Sequence, residues 1–258
     1  MQKSIYVRTF LRYNIKYLYI DYFYKNKYNI FIGEYMDNTL NYEKKKFKDE
    51  FNFYKLFWIF YIGGISGVIV ETIWCILTNG YFEYRTALIL EPINPVYGVG
   101  ALIISLLLYN FKKYNNFVLY SASFIIGGIF ETLCSLFQEL LFGTVSWMYK
   151  PSNLGILGNR TSLIYCFFWG FLGIIWIRVI YPFLSKIVDK FYNNFTKVLT
   201  FILVTLLSID IIFSSGALLR QKERRNNIPP QNSIDKFYDI NFSDNVLKFF
   251  YHNITVID

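Results

Sequence analysis

Five long apolar runs follow one another along the chain, and polar loops separate them. The runs cover residues 56–77, 93–109, 117–142, 162–184 and 198–219. A helix needs about 20 mostly apolar residues to cross the hydrocarbon core of a bilayer, and all five runs meet or approach that length. The pattern predicts an all-α fold: a polytopic transmembrane helical bundle with about five spanning helices.

The second run is the shortest, and two prolines stand at its start. It opens with the string Glu91-Pro92-Ile93-Asn94-Pro95. Proline fits the first turn of a helix but not its interior, so Pro92 and Pro95 predict where the second helix begins. The short length also leaves open a broken or re-entrant segment in place of a full crossing.

Polar and basic segments flank the runs and divide the chain into three parts. Residues 1–53 form a basic, aromatic extension, residues 54–219 the transmembrane bundle, and residues 220–258 a polar tail. The lysines between positions 44 and 48 place the extension in the cytoplasm by the positive-inside rule. With five crossings the cations between positions 220 and 225 would then lie outside, which that rule disfavours. An even number of crossings is the alternative.

The composition fits a membrane protein better than a soluble domain. The chain is 54% hydrophobic, 21% aromatic and only 17% charged, with a mean hydropathy of +0.31. A net charge of +8 would suggest nucleic acid in a soluble protein, but here the cations stand in flanks and loops, as expected beside an anionic membrane leaflet. The sequence carries no nucleic-acid motif, and the predicted partner is the lipid bilayer.

The residues that usually build metal or redox sites are few. There are three cysteines without a Cys-x-x-Cys spacing and one histidine, His252, in the tail. These residues predict neither a metal site nor a cofactor. No nucleophile with a neighbouring base stands out, so the chain is predicted not to be an enzyme.

Two glutamates lie inside apolar runs in matching strings. Glu71 stands in Ile-Val-Glu-Thr-Ile-Trp-Cys and Glu131 in Ile-Phe-Glu-Thr-Leu-Cys. An ionisable group near the centre of a bilayer costs roughly 2.5 to 3.5 kcal/mol on insertion scales. Two such groups in equivalent settings therefore indicate a purpose: a partner, water or a substrate.

The glutamates also share a helical face with small and polar residues. The two faces consist of Gly64, Gly67, Glu71 and Cys75, and of Gly127, Glu131, Ser135 and Gln138. Small residues allow close helix approach in lipid, so these faces are predicted to point into the bundle. The first and third runs, which contain these glutamates, are each followed by a loop with an arginine. This suggests a parallel repeat of two helical hairpins. We expect Arg85 to pair with Glu71 and Arg160 with Glu131, as buried ion pairs or as part of a substrate pathway.

Three interpretations of these residues stay open at this point. The glutamates are structural, holding the helices in register; or they serve transport or proton coupling; or, least favoured, Glu131 or Glu139 acts as an acid or base in a membrane enzyme.

Several short strings together are typical of one family. They are Phe82-Glu83-Tyr84-Arg85, Pro92-Ile93-Asn94-Pro95-Val96-Tyr97-Gly98, Trp147-Met148-Tyr149, Gly158-Asn159-Arg160 and Phe168-Trp169-Gly170. With the two Glu-Thr strings, they resemble the bacterial membrane proteins called putative ABC-transporter type IV permeases, the CmpB-like family. Two departures stand out: the family usually has Trp-Asp-Tyr where this chain has Met148, and Asn-Gly-Arg where it has Gly158-Asn159-Arg160.

The resemblance implies a multi-pass permease subunit of the bacterial cytoplasmic membrane that works with a separate ABC ATPase. The chain has no Gly-x-x-x-x-Gly-Lys-Ser/Thr loop to bind nucleotide phosphates. Five helices are few for a solitary pore, so a homo-oligomer or a second permease subunit is expected. The alternative is a non-transporting membrane scaffold or regulatory subunit whose buried Glu/Arg pairs are structural.

Overall fold

A computed structural model describes residues 50–150 and 154–257 of the protein. The predicted N-terminal extension, residues 1–53, lies outside these residues except for its last four positions.

Seven helices form the described part of the chain, and five are long and apolar enough to cross a membrane. The five are α1 (Phe53–Asn79), α2 (Pro95–Leu108, continued by the 3-10 turn Tyr109–Lys113), α3 (Asn116–Phe142), α4 (Leu163–Lys190) and α5 (Asn194–Arg225). Between 22% and 39% of the most apolar window of each span is buried, so the outward faces are apolar as well, as lipid requires. The predicted all-α polytopic bundle is confirmed.

The helices pair as two hairpins, α1 with α2 and α3 with α4, in one shared contact pattern. In the first hairpin Gly67 lies against the ring of Tyr97, and Gly63 against Ala101. In the second, Gly127 lies against Trp169, and Gly173 against Ser123. Each α3 residue in these contacts stands 60 positions after its α1 counterpart, and each α4 residue stands 72 positions after its α2 counterpart. The two hairpins are thus repeats, packed through small residues that let the backbones approach closely.

The loop between α1 and α2 runs back into the bundle. Its residues Leu88 and Ile93 are buried in a cluster with Phe57 of α1 and Leu207 of α5. Ile93 also packs on Gly64, 15 residues before the end of α1, which is about 22 Å along the helix. Residues 80–94 therefore form a re-entrant loop, and α2 begins inside the bundle with Pro95 in its first turn.

The turn between α2 and α3 lies at the opposite end of the bundle, where Arg178 fixes it. A π-helical turn, Trp176–Ile180, interrupts α4 and carries this arginine. The Arg178 guanidinium donates to the carbonyl oxygens of Lys112 at 2.5 Å and Tyr114 at 2.6 Å, and to the side chain of Asn116 at 3.2 Å. These three hydrogen bonds tie the turn to α4.

The tail folds onto the end of the bundle that carries both hairpin loops. It contains α6 (Ser233–Asn241), α7 (Asp244–Phe250) and strand β4 (Thr255–Val256). Strand β4 pairs antiparallel with β1 (Thr144–Val145), and β2 (Gly155–Ile156) pairs with β3 (Thr161–Ser162) in the second hairpin loop. Helix α5 extends to Arg225, six residues into the segment predicted as polar tail.

Candidate functional site

Glu71 lies near the loop end of α1 and receives hydrogen bonds from two sides. The Tyr97 hydroxyl donates to one carboxylate oxygen, and the Arg85 guanidinium donates to the other at 3.3 Å. Arg85 also pairs with Glu83 and donates to the Cys75 Sγ at 3.4 Å. The structure thus places Arg85 between two carboxylates, of which only Glu71 was expected from the sequence.

Glu131 is more deeply buried than Glu71, and hydroxyl groups rather than a cation surround it. Glu131 as a whole residue is 8% exposed. The Thr161 hydroxyl donates to one carboxylate oxygen at 2.6 Å, and the Tyr149 hydroxyl donates to the other. Trp169 also lies within hydrogen-bonding reach.

The partner of Arg160 differs from the one expected. Arg160 pairs with Glu139 and donates to the Ser135 Oγ at 3.1 Å, so it binds one to two turns beyond Glu131 on α3. The Trp147 indole N–H donates to the Arg160 carbonyl oxygen at 2.9 Å and holds this part of the loop in place. The physical reason is reach: Thr161 and Tyr149 already satisfy the Glu131 oxygens, and Glu139 stands closer to the loop that carries the arginine.

The two halves of the site repeat one another in detail. Cys75 and Ser135 are 60 positions apart, and each accepts a hydrogen bond from the arginine of its own hairpin loop. Tyr97 and Trp169 are 72 positions apart, and each approaches the glutamate of its own hairpin. The hairpin repeat therefore extends to the polar side chains.

Each glutamate accepts a hydrogen bond from a tyrosine, Glu71 from Tyr97 and Glu131 from Tyr149. The two hairpins also meet in this region, where Gly100 of α2 lies against Phe130 and Trp169. The rings of Tyr149 and Tyr165 are 4.6 Å apart between centroids. We call Glu71, Glu131, Tyr97, Tyr149 and Tyr165 the Glu–Tyr cluster; it joins the two hairpins into one polar site.

The electrostatics of this site favour neutral tyrosines and an excess of negative charge. Burial, and next the charge of Glu131, raise the pKa of Tyr149 in the loop, so its phenol stays a hydrogen-bond donor. Three carboxylates share two guanidinium groups, Glu71 and Glu83 with Arg85 and Glu139 with Arg160. The fourth, Glu131, has only hydroxyl and indole donors. The ion-paired groups alone carry one more negative than positive charge, and two more when Glu131 is ionised, a potential that attracts cations.

Asp210 of α5 supports the re-entrant loop, a role that the sequence did not reveal. It is fully buried, and one carboxylate oxygen accepts the backbone N–H groups of Leu90 at 3.0 Å and Glu91 at 2.7 Å. The other oxygen accepts the Ser214 hydroxyl at 2.8 Å, and the Ser214 Oγ accepts the backbone N–H of Ile89 at 3.0 Å. An aspartate in the fifth apolar run was visible, but partners 120 positions away were not.

The remaining residues of the family strings shape the scaffold around the cluster. Gly98 lies against Phe60, and Gly170 lies against Tyr120 in the same way. The two glycines are 72 positions apart and the two rings 60, so this contact is repeated as well. Pro95 starts α2, and Pro92 is exposed in the re-entrant loop. Among the described residues, no three His, Cys, Asp or Glu side chains come together in a way that could hold a metal ion.

The five spans, the re-entrant loop and the buried carboxylates define a multi-pass membrane protein with a polar site between two repeated hairpins. The chain belongs to the family described as putative ABC-transporter type IV, which it matches over residues 58–215. No curated protein and no solved structure matches it.

Proposed function

We propose that this protein is a permease subunit that lacks its own ATPase domain and that its substrate pathway passes the Glu–Tyr cluster. The observation that carries the proposal is that each of the two repeated hairpins places a hydrogen-bonded carboxylate inside the bundle, Glu71 beside Tyr97 and Glu131 beside Tyr149 and Thr161. In folds built from repeats, substrate sites often lie at the interface between repeats, beside irregular backbone inside the bundle. The family membership supports the same function.

The charges at the loop end support an orientation with this end outside. Arg220 and Arg224 pair with Asp239, Arg224 also with Asp244, and Lys222 donates to the carbonyl oxygens of Leu140 and Leu141 at the end of α3. Paired cations attract the anionic leaflet less than free ones. The basic residues between positions 220 and 225 therefore argue less strongly against five crossings. The N-terminal end of α1 is then cytoplasmic, in the bacterial cytoplasmic membrane.

This orientation gives the ATPase a surface to dock on. The turn between α2 and α3 lies at the cytoplasmic end, where Arg178 holds it rigid with three hydrogen bonds. A rigid turn transmits motion of a bound partner to the helices it joins. A separate ABC ATPase subunit, and a homo-oligomer or second permease subunit, complete the proposed assembly.

Native cysteines beside the cluster allow a test that needs no known substrate. Cys166 contacts Thr161, the partner of Glu131. In a variant that retains Cys166 alone (C75S, C134S), we expect a cationic methanethiosulfonate reagent to react several-fold faster than an anionic one of similar size, because the local potential is negative. Glu131→Gln and Glu71→Gln should each reduce this preference.

The matched control is Asp235→Asn, which removes one negative charge from the tail, where Asp235 accepts the Gln231 backbone N–H. It should leave the preference for the cationic reagent unchanged. Equal rates for the two reagents, or no reaction with either, would contradict a pathway at the cluster.

A scaffold without transport is the second candidate, and the saturation of Glu131 and Asp210 by hydrogen bonds favours it. Purification in mild detergent separates the two. An ATPase that copurifies supports the permease, whereas assembly with other membrane proteins and no dependence on nucleotide supports the scaffold.

A further inference from the structure

The tail is attached to the bundle at three places of very different strength. The first is an ionic clamp: Asp239 binds Arg220 with both oxygens, at 2.9 Å each, and Arg224 at 2.8 Å. Arg220 is 3% exposed, and its hydrogen bond lowers the pKa of Asp239. Two buried or half-buried guanidinium groups around one carboxylate make this a firm attachment.

The second attachment is apolar and reaches the re-entrant loop. Leu247 and Tyr251 are buried against Ala217 and Leu218 of α5, and Ile89 of the first hairpin loop packs on the same group. The rings of Tyr84 and Phe249 also meet, 6.1 Å apart between centroids. The tail thus covers the loop of the first hairpin.

The third attachment joins the tail to the second hairpin and is small. Thr144 pairs with Val256 and Val145 with Thr255, in a ladder of two residues per strand. The Ile257 backbone N–H donates to the Gly143 carbonyl oxygen at 3.1 Å, and the Asn253 side chain donates to the Ser146 carbonyl oxygen at 3.3 Å. Strand β4 is exposed, whereas β1 is buried beneath it. A short exposed strand opens at little cost in free energy.

Strand β1 connects this attachment to the Glu–Tyr cluster. Gln138 accepts the Ser146 backbone N–H at 3.1 Å, and the next residue, Glu139, pairs with Arg160. Trp147 follows directly and holds the Arg160 carbonyl oxygen. Movement of residues 143–147 therefore changes the loop that covers Glu131.

We propose that residues 244–257 are a strap that ties the two hairpins together across the loop end, and that strand β4 is its releasable attachment. With β4 paired, the strap bridges the first loop at Ile89 and the second at Thr144, and Glu131 and Cys166 are buried beneath the second loop. Release of β4 frees the second loop and opens this end of the Glu–Tyr cluster. The regulation of transport that this implies rests on the proposed function; the attachment and its release do not.

A disulfide across the β1–β4 pair tests the closed state. In full-length protein that retains Cys166 as the only native cysteine, Thr144→Cys and Val256→Cys introduce a directly paired couple. Oxidation should slow the labelling of Cys166 by a membrane-impermeant maleimide several-fold, and reduction should restore the rate. Each single variant, oxidised in the same way, is the control. An unchanged rate in the oxidised double variant would overturn the strap.

A second pair of variants tests release and does not depend on disulfide formation. Ile257→Pro removes the N–H that bonds the Gly143 carbonyl oxygen, whereas Ile257→Ala keeps it. The maleimide should label Cys166 several-fold faster in Ile257→Pro than in Ile257→Ala. The two variants should have nearly the same melting temperature. Equal rates would count against the strap. If the maleimide rates respond but cationic and anionic reagents react equally, the proposed pathway fails and the strap stands.

Discussion

At the scale of single residues, the two intramembrane glutamates are equivalent by position but not by environment. Glu71 keeps a guanidinium partner and is partly exposed, whereas Glu131 is buried among hydroxyl donors. The difference arises in the loops, because Arg85 reaches the glutamate of its hairpin and Arg160 stops at Glu139. The two matching Glu-Thr strings therefore place their glutamates in different electrostatic environments.

A double-mutant cycle checks the partner of Arg160. We expect Arg160→Ala and Glu139→Ala to couple by about 1 kcal/mol or more in thermal unfolding in detergent, because the pair is partly buried and in direct contact. The cycle of Arg160→Ala with Glu131→Ala should give a smaller coupling energy. A larger coupling with Glu131 would show that the arginine binds the deeper carboxylate.

At the scale of elements, the re-entrant loop depends on one helix that is distant in sequence. Backbone N–H groups inside an apolar bundle need acceptors, and residues 89–91 find theirs on α5 through Asp210 and Ser214. The start of α2 follows from this, since Ile93 and Asn94 can stand at the level of Gly64 only while the loop stays folded.

Removing the Asp210 carboxylate should release the loop. Asp210→Ala leaves the N–H groups of Leu90 and Glu91 without an acceptor, at about 1 to 3 kcal/mol for each buried group. We expect a clear loss of melting temperature and faster proteolysis within residues 80–94. Asp210→Asn keeps an acceptor oxygen and should lower the melting temperature less. Ser208→Ala, an exposed position on the same helix that bonds only the Val204 carbonyl oxygen, should change neither. Equal losses of melting temperature for Asp210→Ala and Asp210→Asn would argue against this role of the Asp210 carboxylate.

At the scale of the whole molecule, charge pairing supports the proposed orientation. The tail supplies Asp239 and Asp244 to the cations at the end of α5, so that five crossings and a cytoplasmic N-terminal end become compatible. The same pairing brings the tail onto both hairpin loops, where it forms the proposed strap.

Reporter fusions measure this orientation directly. Alkaline phosphatase, which is active only outside the cytoplasm, should be active when fused after Asp258, and green fluorescent protein at the same point should be dark. A fusion at the turn after Lys113 should give the opposite result, which is the internal control. Fluorescence from the C-terminal fusion would reverse the assignment and move the cluster to the cytoplasmic face.

The sequence by itself determined the membrane class, the five spans to within a few residues, the family and the repeated glutamates. It could do so because a bilayer demands apolar length, and because a charge inside an apolar run is visible locally. Only the tertiary structure decided that Arg160 binds Glu139, that Asp210 holds the first loop and that the tail pairs Asp239 and Asp244 with Arg220 and Arg224 of α5. Those contacts join groups up to 120 positions apart, and no local pattern of residues encodes which of several acids an arginine or a backbone N–H group will meet.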